Sequence, residues 1–427
     1  MSSPHPTVKL RHLAQFNPPV PEAVTSDPVA EWPLLPMEDI GNFTPPTITQ
    51  HRTYEALSTG YSYLEPSDIA YAKVTPCFEN GKGLDGADLE GPTFATTEVS
   101  VLRPQPDVSQ RFLTYVLQSE GFRSAAIASM TGAGGLRRVS ESSMKNYRTP
   151  APDVSVQNKI ADYLDHETAE IDHLIKDLHL FLDISHARMK ATVESLLRGE
   201  QFTRIKLRRL SPMRRTGTSV NADSEPAHPG APGILKTGAV SKGWFDPSEN
   251  KAVTDPREAS RLTAPLTGDR VLVNRANTPD LVGSAVYIAN DAQNLFLSDK
   301  LWSIDFKAVN SYIALALSTR AYREQISMLS VGASSSMQNL SYSDFLGIQV
   351  PVPDERTQKE IVAHVDSLMS RELEVEAQAK NAIDLARERR AALITAAVTG
   401  QIDVTARNRP AAEQLEDDIA QGLHRKN

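Results

Sequence analysis

The sequence states one pattern twice. Pro150, Pro152, Asp153, Gln157, Ile160 and Asp165 are matched by Pro351, Pro353, Asp354, Gln358, Ile361 and Asp366, each 201 residues further on. The same offset runs without a gap through Asp183 and Asp384, Arg188 and Arg389, Ala191 and Ala392, and Gly199 and Gly400. A period that long means two copies of one domain-plus-helix unit, so each half must fold as the other does. A duplicated binding unit meets two similar things at a set distance.

The match continues upstream with small shifts, as it does when loops vary between copies. Val8 to Leu13 resembles Ile205 to Leu210, and Asp68 aligns with Asp269 ahead of a β-branched run. Phe112 and Phe122 meet Tyr312 and Tyr322, Thr131 to Gly135 meets Val331 to Ser335, and Val139-Ser140 meets Leu340-Ser341.

Residues 155–198 contain no Gly or Pro. Their apolar positions Ile160, Leu164, Ile171, Leu174, Leu178, Phe181, Met189 and Leu196 step by threes and fours or their sums, which predicts a long helix with a heptad seam. Asp153 starts it and Gly199 ends it. The second segment follows the same plan. Thr357 and Glu360 suggest a capping box, Gly400 closes the helix, and the seam is Ile361, Val365, Leu368, Val375, Ala379, Ala382, Ala386 and Leu393. Each helix would span roughly 65 Å. An antiparallel pair buries both seams most simply.

Residues 1–150 and 202–350 are rich in Pro, Gly, Thr and short β-branched runs, with one helical stretch each, at 109–130 and 309–329. That is the composition of mixed α/β domains with long loops. The fold class expected is therefore mixed α/β (α+β): two such domains, each followed by a long helix, the helices packing as an antiparallel coiled coil about a pseudo-two-fold internal repeat. The boundaries are domain 1–152, helix 153–201, domain 202–353, helix 354–404 and a polar tail 405–427.

A single cysteine, Cys77, excludes an intramolecular disulfide framework and a Cys-rich zinc site. No apolar run reaches the roughly 20 residues of a membrane span, and the N-terminus lacks a signal pattern, so the expected compartment is the cytoplasm. The net charge of −8 argues against a simple non-specific nucleic-acid binder. The charge is uneven, however. Arg204 to Arg215 is strongly basic, while acids crowd the helices and the tail.

Catalytic patterns are missing. Asn17-Pro18-Pro19 is followed by Val20, where the base-stacking aromatic of an amino-methyltransferase motif would stand. Gly81-Lys82-Gly83 and Gly132 to Gly135 lack phosphate-loop spacing, and His173, His179 and His186 do not fall at i, i+4 as metal ligands would. No catalytic, metal or cofactor residue is assigned. The pattern is that of a reader, and no enzyme is expected.

The two Pro-x-Pro lead-ins, with Gln157-Asn158-Lys159-Ile160 and Gln358-Lys359-Glu360-Ile361 behind them, resemble the specificity subunit of type I restriction–modification systems. The helix endings Ser195 to Glu200 and Ala396 to Gln401 are similar to that family too. The resemblance implies two target-recognition domains, each reading one half of a bipartite, asymmetric double-stranded DNA site. It implies that the helices act as a ruler for the unread spacer and dock two adenine methyltransferase subunits, which motor-nuclease (restriction) subunits join. S-adenosylmethionine, ATP and Mg2+ would belong to those partners, with no cofactor on this chain. The rival is a duplicated coiled-coil scaffold that organises proteins without binding DNA. A basic stretch and two elaborate loop-rich domains are features a scaffold does not need.

Candidate DNA contacts are polar or basic loop residues: Arg52, Lys73, Arg137 and Arg138 in the first domain, and Lys236, Lys242, Asn274, Arg275 and Gln338 in the second. Arg214 and Arg215 are candidates for phosphate. Lys73 and Asn274 are taken to occupy matching places after their strands.

Overall fold

The computed structural model of the protein describes residues 5–133, 135–198, 202–329 and 338–404. Gly134, Gly199, Glu200, the Val331 to Ser335 stretch and the 405–427 tail lie outside the described residues. The chain forms two compact units. One holds the residues up to His179 together with those from Ala379 on, and the other is Leu180–Gln378. Each unit therefore contains one α/β domain, the first part of the long helix that follows it, and the last part of the other long helix.

In the first unit the central strand Ile69–Ala72 is buried on both faces. It lies between Val99–Pro104 and Gly83–Asp85 in an antiparallel sheet that Ala14–Phe16 completes. A second sheet runs Gln50–Thr53, Glu31–Leu35, Thr93–Thr96, Tyr61–Leu64, with Glu31–Leu35 and Thr93–Thr96 parallel. The second unit repeats both strand orders. Its sheets are Met213–Thr216, Leu301–Asp305, Arg270–Asn274, Ala285–Ile288, and Asn250–Ala252, Gly233–Leu235, Ala292–Phe296, Pro265–Leu266. In each unit a short ladder ties the start of the domain to its end, Val8 opposite Thr149 and Ile205 opposite Val350.

The predicted helical stretches 109–130 and 309–329 are each two helices: Gln110–Gln118 and Glu120–Ala128, then Asn310–Ala316 and Arg320–Leu329. Ser119 is extended and its hydroxyl accepts from the Phe122 N–H, while the Thr319 hydroxyl accepts from the Tyr322 N–H. A side-chain oxygen that caps a new helix favours breaking the old one. The paired aromatics then pack inward. Phe122 meets Tyr71 and Tyr147 edge-on at centroid distances of 5.4 and 5.5 Å, and Tyr322 is buried with its hydroxyl on the Gly283 carbonyl at 2.6 Å.

The long helices are Val154–Leu197 and Glu355–Val398, continuous over 44 residues each. The second is capped by Asp354, not by a Thr357 box. Asp354 accepts from the Thr357 N–H at 3.1 Å and from its hydroxyl at 2.8 Å, and these bonds hold its carboxyl below the usual aspartate range. At the other end Gly400 has φ +75°, the Gln401 N–H reaches the Ala396 carbonyl and the Gly400 N–H reaches that of Ala397. This is the left-handed stop that glycine allows at least cost.

Within the first unit, Ile160 and Leu164 share a core with Ile394, Ala397 and Val398, and Asp172 pairs with Arg390 at 3.0 Å. Within the second, Leu197 shares a core with Ile361 and Val365, and Ser185 donates to Glu372 at 2.8 Å. Both segments are antiparallel. The seam itself differs from the one read from apolar residues. Leu174 and Phe181 are about half exposed, and the neighbours Ile175 and Leu182 face inward instead. Steps of three and four run Leu164, Thr168, Ile171, Ile175, Leu178, Leu182, Ser185, Met189, so two polar residues belong to the seam. Glu372 faces Ser185 from the other helix. Among the described residues no helix is long and apolar enough to cross a membrane.

The Gln of each Pro-x-Pro motif explains the strongest identity between the copies. Gln157 accepts from the Ser109 N–H at 2.9 Å and donates to the Pro152 carbonyl at 2.8 Å. Gln358 accepts from the Val309 N–H at 3.1 Å and donates to the Pro353 carbonyl at 2.8 Å. Both side chains are buried and join helix start to domain core. Gln157→Ala leaves two buried backbone groups without partners and should destabilise the protein by about 1–3 kcal/mol. Gln358→Ala should do the same in the second unit, and thermal or denaturant unfolding of the two single variants and the double variant measures both effects and their additivity.

Candidate nucleic-acid interface

The strand register corrects the pairing of candidate residues. The Lys73 N–H donates to the Glu98 carbonyl and its own carbonyl accepts from Val139; the Arg275 N–H donates to the Lys300 carbonyl and its carbonyl accepts from Leu340. Lys73 and Arg275 are therefore equivalent, and Asn274 matches Ala72. Asn274 is fully buried, and its side chain bonds the Ala276 N–H and the Leu281 carbonyl. It shapes the strand end and is out of reach of a base.

After each of these strand ends the chain crosses a second segment. In the first unit an exposed hairpin, Thr131–Ala133 with Leu136–Arg138, is attached through Val74 opposite Arg138 and through the Thr75 N–H to the Arg137 carbonyl. In the second, Ala276–Asn277 pairs with Gln338–Asn339. One place in the fold thus carries Lys73, Arg137 and Arg138 in one copy, and Arg275, Gln338 and Asn339 in the other. Asn339 was not among the residues singled out from the sequence, because a lone asparagine in a loop carries no signal until its strand partner is known.

Electrostatics differ between the two arms. Arg137 bonds Glu79 at 2.8 Å, and Arg138 forks onto Glu98 at 3.1 and 2.5 Å. The Arg138 bond chiefly, with Lys73 adding a weaker attraction, holds the Glu98 carboxyl below its usual range. Arg275 is half-buried, and its Nε finds no hydrogen-bond partner among the described residues.

The remaining candidates are scattered. Arg52 is exposed on the strand Gln50–Thr53 of the other sheet, opposite Trp32. Lys236 pairs with Glu249 at 3.0 Å and Lys242 with Asp246 at 2.9 Å. Arg214 lies over the rings of Tyr342 and Trp302, 4.2 and 5.7 Å from their centroids, a stacking arrangement that suits the planar guanidinium. Arg215 is exposed on the same strand, Met213–Thr216. The basic stretch from Arg204 on buries Leu207 and Leu210 while Arg204, Lys206, Arg208, Arg209, Arg214 and Arg215 stay exposed. None of these cations has an ion-pair partner among the described residues. These exposed cations, on a chain of net charge −8, are local positive charge of the kind that phosphate contacts need. Among the described residues no cluster of His, Cys, Asp or Glu could hold a metal ion.

Residues 258–385 match the family described as Type I restriction modification DNA specificity domain. The chain is 31% identical over 154 residues to the type I restriction enzyme EcoAI specificity subunit of Escherichia coli, an alignment covering 35% of this chain and 26% of that protein. The chain thus spans about a quarter of the length of the curated relatives it matches first. Among solved structures, a chain from a study of complex assembly and conformational transition of the type I R-M system superposes with a TM-score of 0.73 at 14% identity, covering 94% of this chain and 100% of that one. The HsdS subunit from Thermoanaerobacter tengcongensis superposes with a TM-score of 0.51, also at 14% identity, over 93% of this chain and 97% of that one. At that identity the structural likeness shows the fold. The resemblance drawn from the Pro-x-Pro lead-ins and helix endings is borne out.

Proposed function

We propose that this chain, similar to type I specificity subunits in fold and in residues 258–385, is the DNA sequence-specificity subunit of a type I restriction–modification complex. Each α/β domain reads one half of a bipartite, asymmetric site, and the chain performs no chemistry of its own. It directs two adenine-N6 methyltransferase subunits, and the motor-nuclease subunits that join them, to that site. S-adenosylmethionine, ATP and Mg2+ act on those partners.

One observation carries this proposal. The same structural position holds Lys73, Arg137 and Arg138 in one copy and Arg275, Gln338 and Asn339 in the other. A scaffold gains nothing from keeping a position and changing its hydrogen-bonding groups. A reader of two different half-sites needs that arrangement, since base edges are told apart by donor and acceptor pattern. The exposed Arg204 to Arg215 stretch supplies sequence-independent attraction.

A genome-wide map of N6-methyladenine in the host, with and without this gene, tests the proposal. The expected result is loss of one bipartite motif when the gene is removed. An unchanged map, in a host shown to express the methyltransferase subunits, overturns it.

A further inference from the structure

The arm of the first unit holds one side chain in an arrangement suited to reading a particular base. Arg138 is about half exposed, and it meets Glu98 through Nε and Nη2. Glu98 is itself held. Its carbonyl accepts from the Lys73 N–H at 2.8 Å and its N–H donates to the Thr96 hydroxyl at 3.3 Å. A guanidinium has five N–H donors in a rigid plane. With the Nε edge committed to a carboxylate, the Nη1–Nη2 edge retains two parallel donors. That edge matches the O6 and N7 acceptors that guanine presents in the major groove.

The second copy replaces both members of the pair at once. Asn339 stands where Arg138 stands, and Lys300 where Glu98 stands. An asparagine needs no carboxylate to orient it, and its amide is one donor and one acceptor, the complement of adenine N6 and N7. An ion pair as exposed as Arg138–Glu98 adds little to stability. Orientation of the fork is therefore the larger consequence of Glu98.

Resting on the DNA-reading function proposed above, we infer that Arg138 reads a guanine in the first half-site, with Glu98 as its positioning residue, and that Asn339 reads an adenine from the equivalent place in the second. The test uses the full chain co-expressed with its methyltransferase subunits, and maps methylated motifs for wild type, Arg138→Asn, Arg138→Lys, Glu98→Gln and Asn339→Arg. Arg138→Asn should remove the guanine requirement at one position of one half-site by about tenfold or more, leaving the other half unchanged. Arg138→Lys keeps the charge but not the fork, and should relax the same position. Glu98→Gln should keep the guanine but lower methylation at that motif, an effect that rescue by higher subunit concentration identifies as weakened binding. Asn339→Arg should alter a single position in the other half only.

A wild-type motif without guanine in the half-site that Arg138 variants affect overturns the inference while DNA reading stands. So does full retention of the guanine by Arg138→Asn, or equal relaxation of both halves. If the wild-type complex gives no gene-dependent motif at all, the DNA-reading function itself fails and takes this inference with it.

Discussion

Arg103→Ala is expected to cost the first unit about 3–5 kcal/mol, because it strands a buried carboxylate. Asp68 has 0% exposure and receives Arg103 as a fork, Nε at 2.7 Å and Nη2 at 2.8 Å, with the Glu65 N–H adding a third bond at 2.8 Å. The register explains the meeting. Ile69 lies opposite Leu102, so the next residue outward on each strand, Asp68 and Arg103, also face each other. The bonds to Asp68 hold the guanidinium even more firmly protonated than usual. In the second unit Val271 lies opposite Ile304, and the corresponding pair is Arg270 with Asp305 at 3.7 Å, the same pair with its charges exchanged. The structural counterpart of Asp68 is thus Arg270, not Asp269. The doubly substituted Asp68→Arg, Arg103→Asp protein reproduces the second unit's order and should recover part of the loss. Denaturant unfolding measures both changes. A cost under about 1 kcal/mol for Arg103→Ala would mean that water replaces the arginine and that the pair is not structural.

Lengthening both long helices together should change the spacer and nothing else in the recognised site. Four residues inserted after His179 and four after Gln378 fall between the two compact units, leaving the packing inside each intact. Four residues add about 6 Å and turn the helix by roughly 40° beyond a full turn. DNA advances about 3.4 Å per base pair, so the added length corresponds to a spacer longer by one or two base pairs. A heptad seam tolerates a four-residue insertion as a local unwinding. Insertion in one helix alone breaks the register of one of the two pairs, Ser185 with Glu372 or Asp172 with Arg390, and should impair assembly. Methylome mapping is the readout. Disappearance of the original motif, with both half-sites kept at a longer spacing, is the predicted result; an unchanged spacer in the doubly lengthened protein rules out the helices as the ruler.

Much of this molecule is legible from local pattern. Asp153 marks the start of the first long helix at Val154, whereas the second starts behind Asp354 and not behind Thr357, since both residues satisfy the same capping rule. The buried Gln157 and Gln358 stood out as an exact repeat, since a side chain that must satisfy two backbone groups tolerates little variation. Reading failed where several choices satisfied the same local rule. Leu174 and Ile175 both fit an apolar stripe, one three and the other four residues after Ile171, and only Ile175 turns inward. Residue counting aligns Lys73 with Asn274, whereas the ladder to Glu98 and Lys300 makes Arg275 its counterpart.

The duplication and the two long helices are legible from the chain alone. Those features depend on neighbours a few residues apart, through periodicity, capping and turn geometry. Which residues share a place is set by strand pairing and packing. The Glu120 N–H bonds to Thr395, and the Arg320 N–H to Glu194, so each domain rests on the end of the helix that follows the other domain. The reversed Asp68–Arg103 pair and the exchange of Arg138 for Asn339 are of the same kind. Such contacts join residues far apart in the chain, and they are set by strand register and packing, which no local pattern encodes.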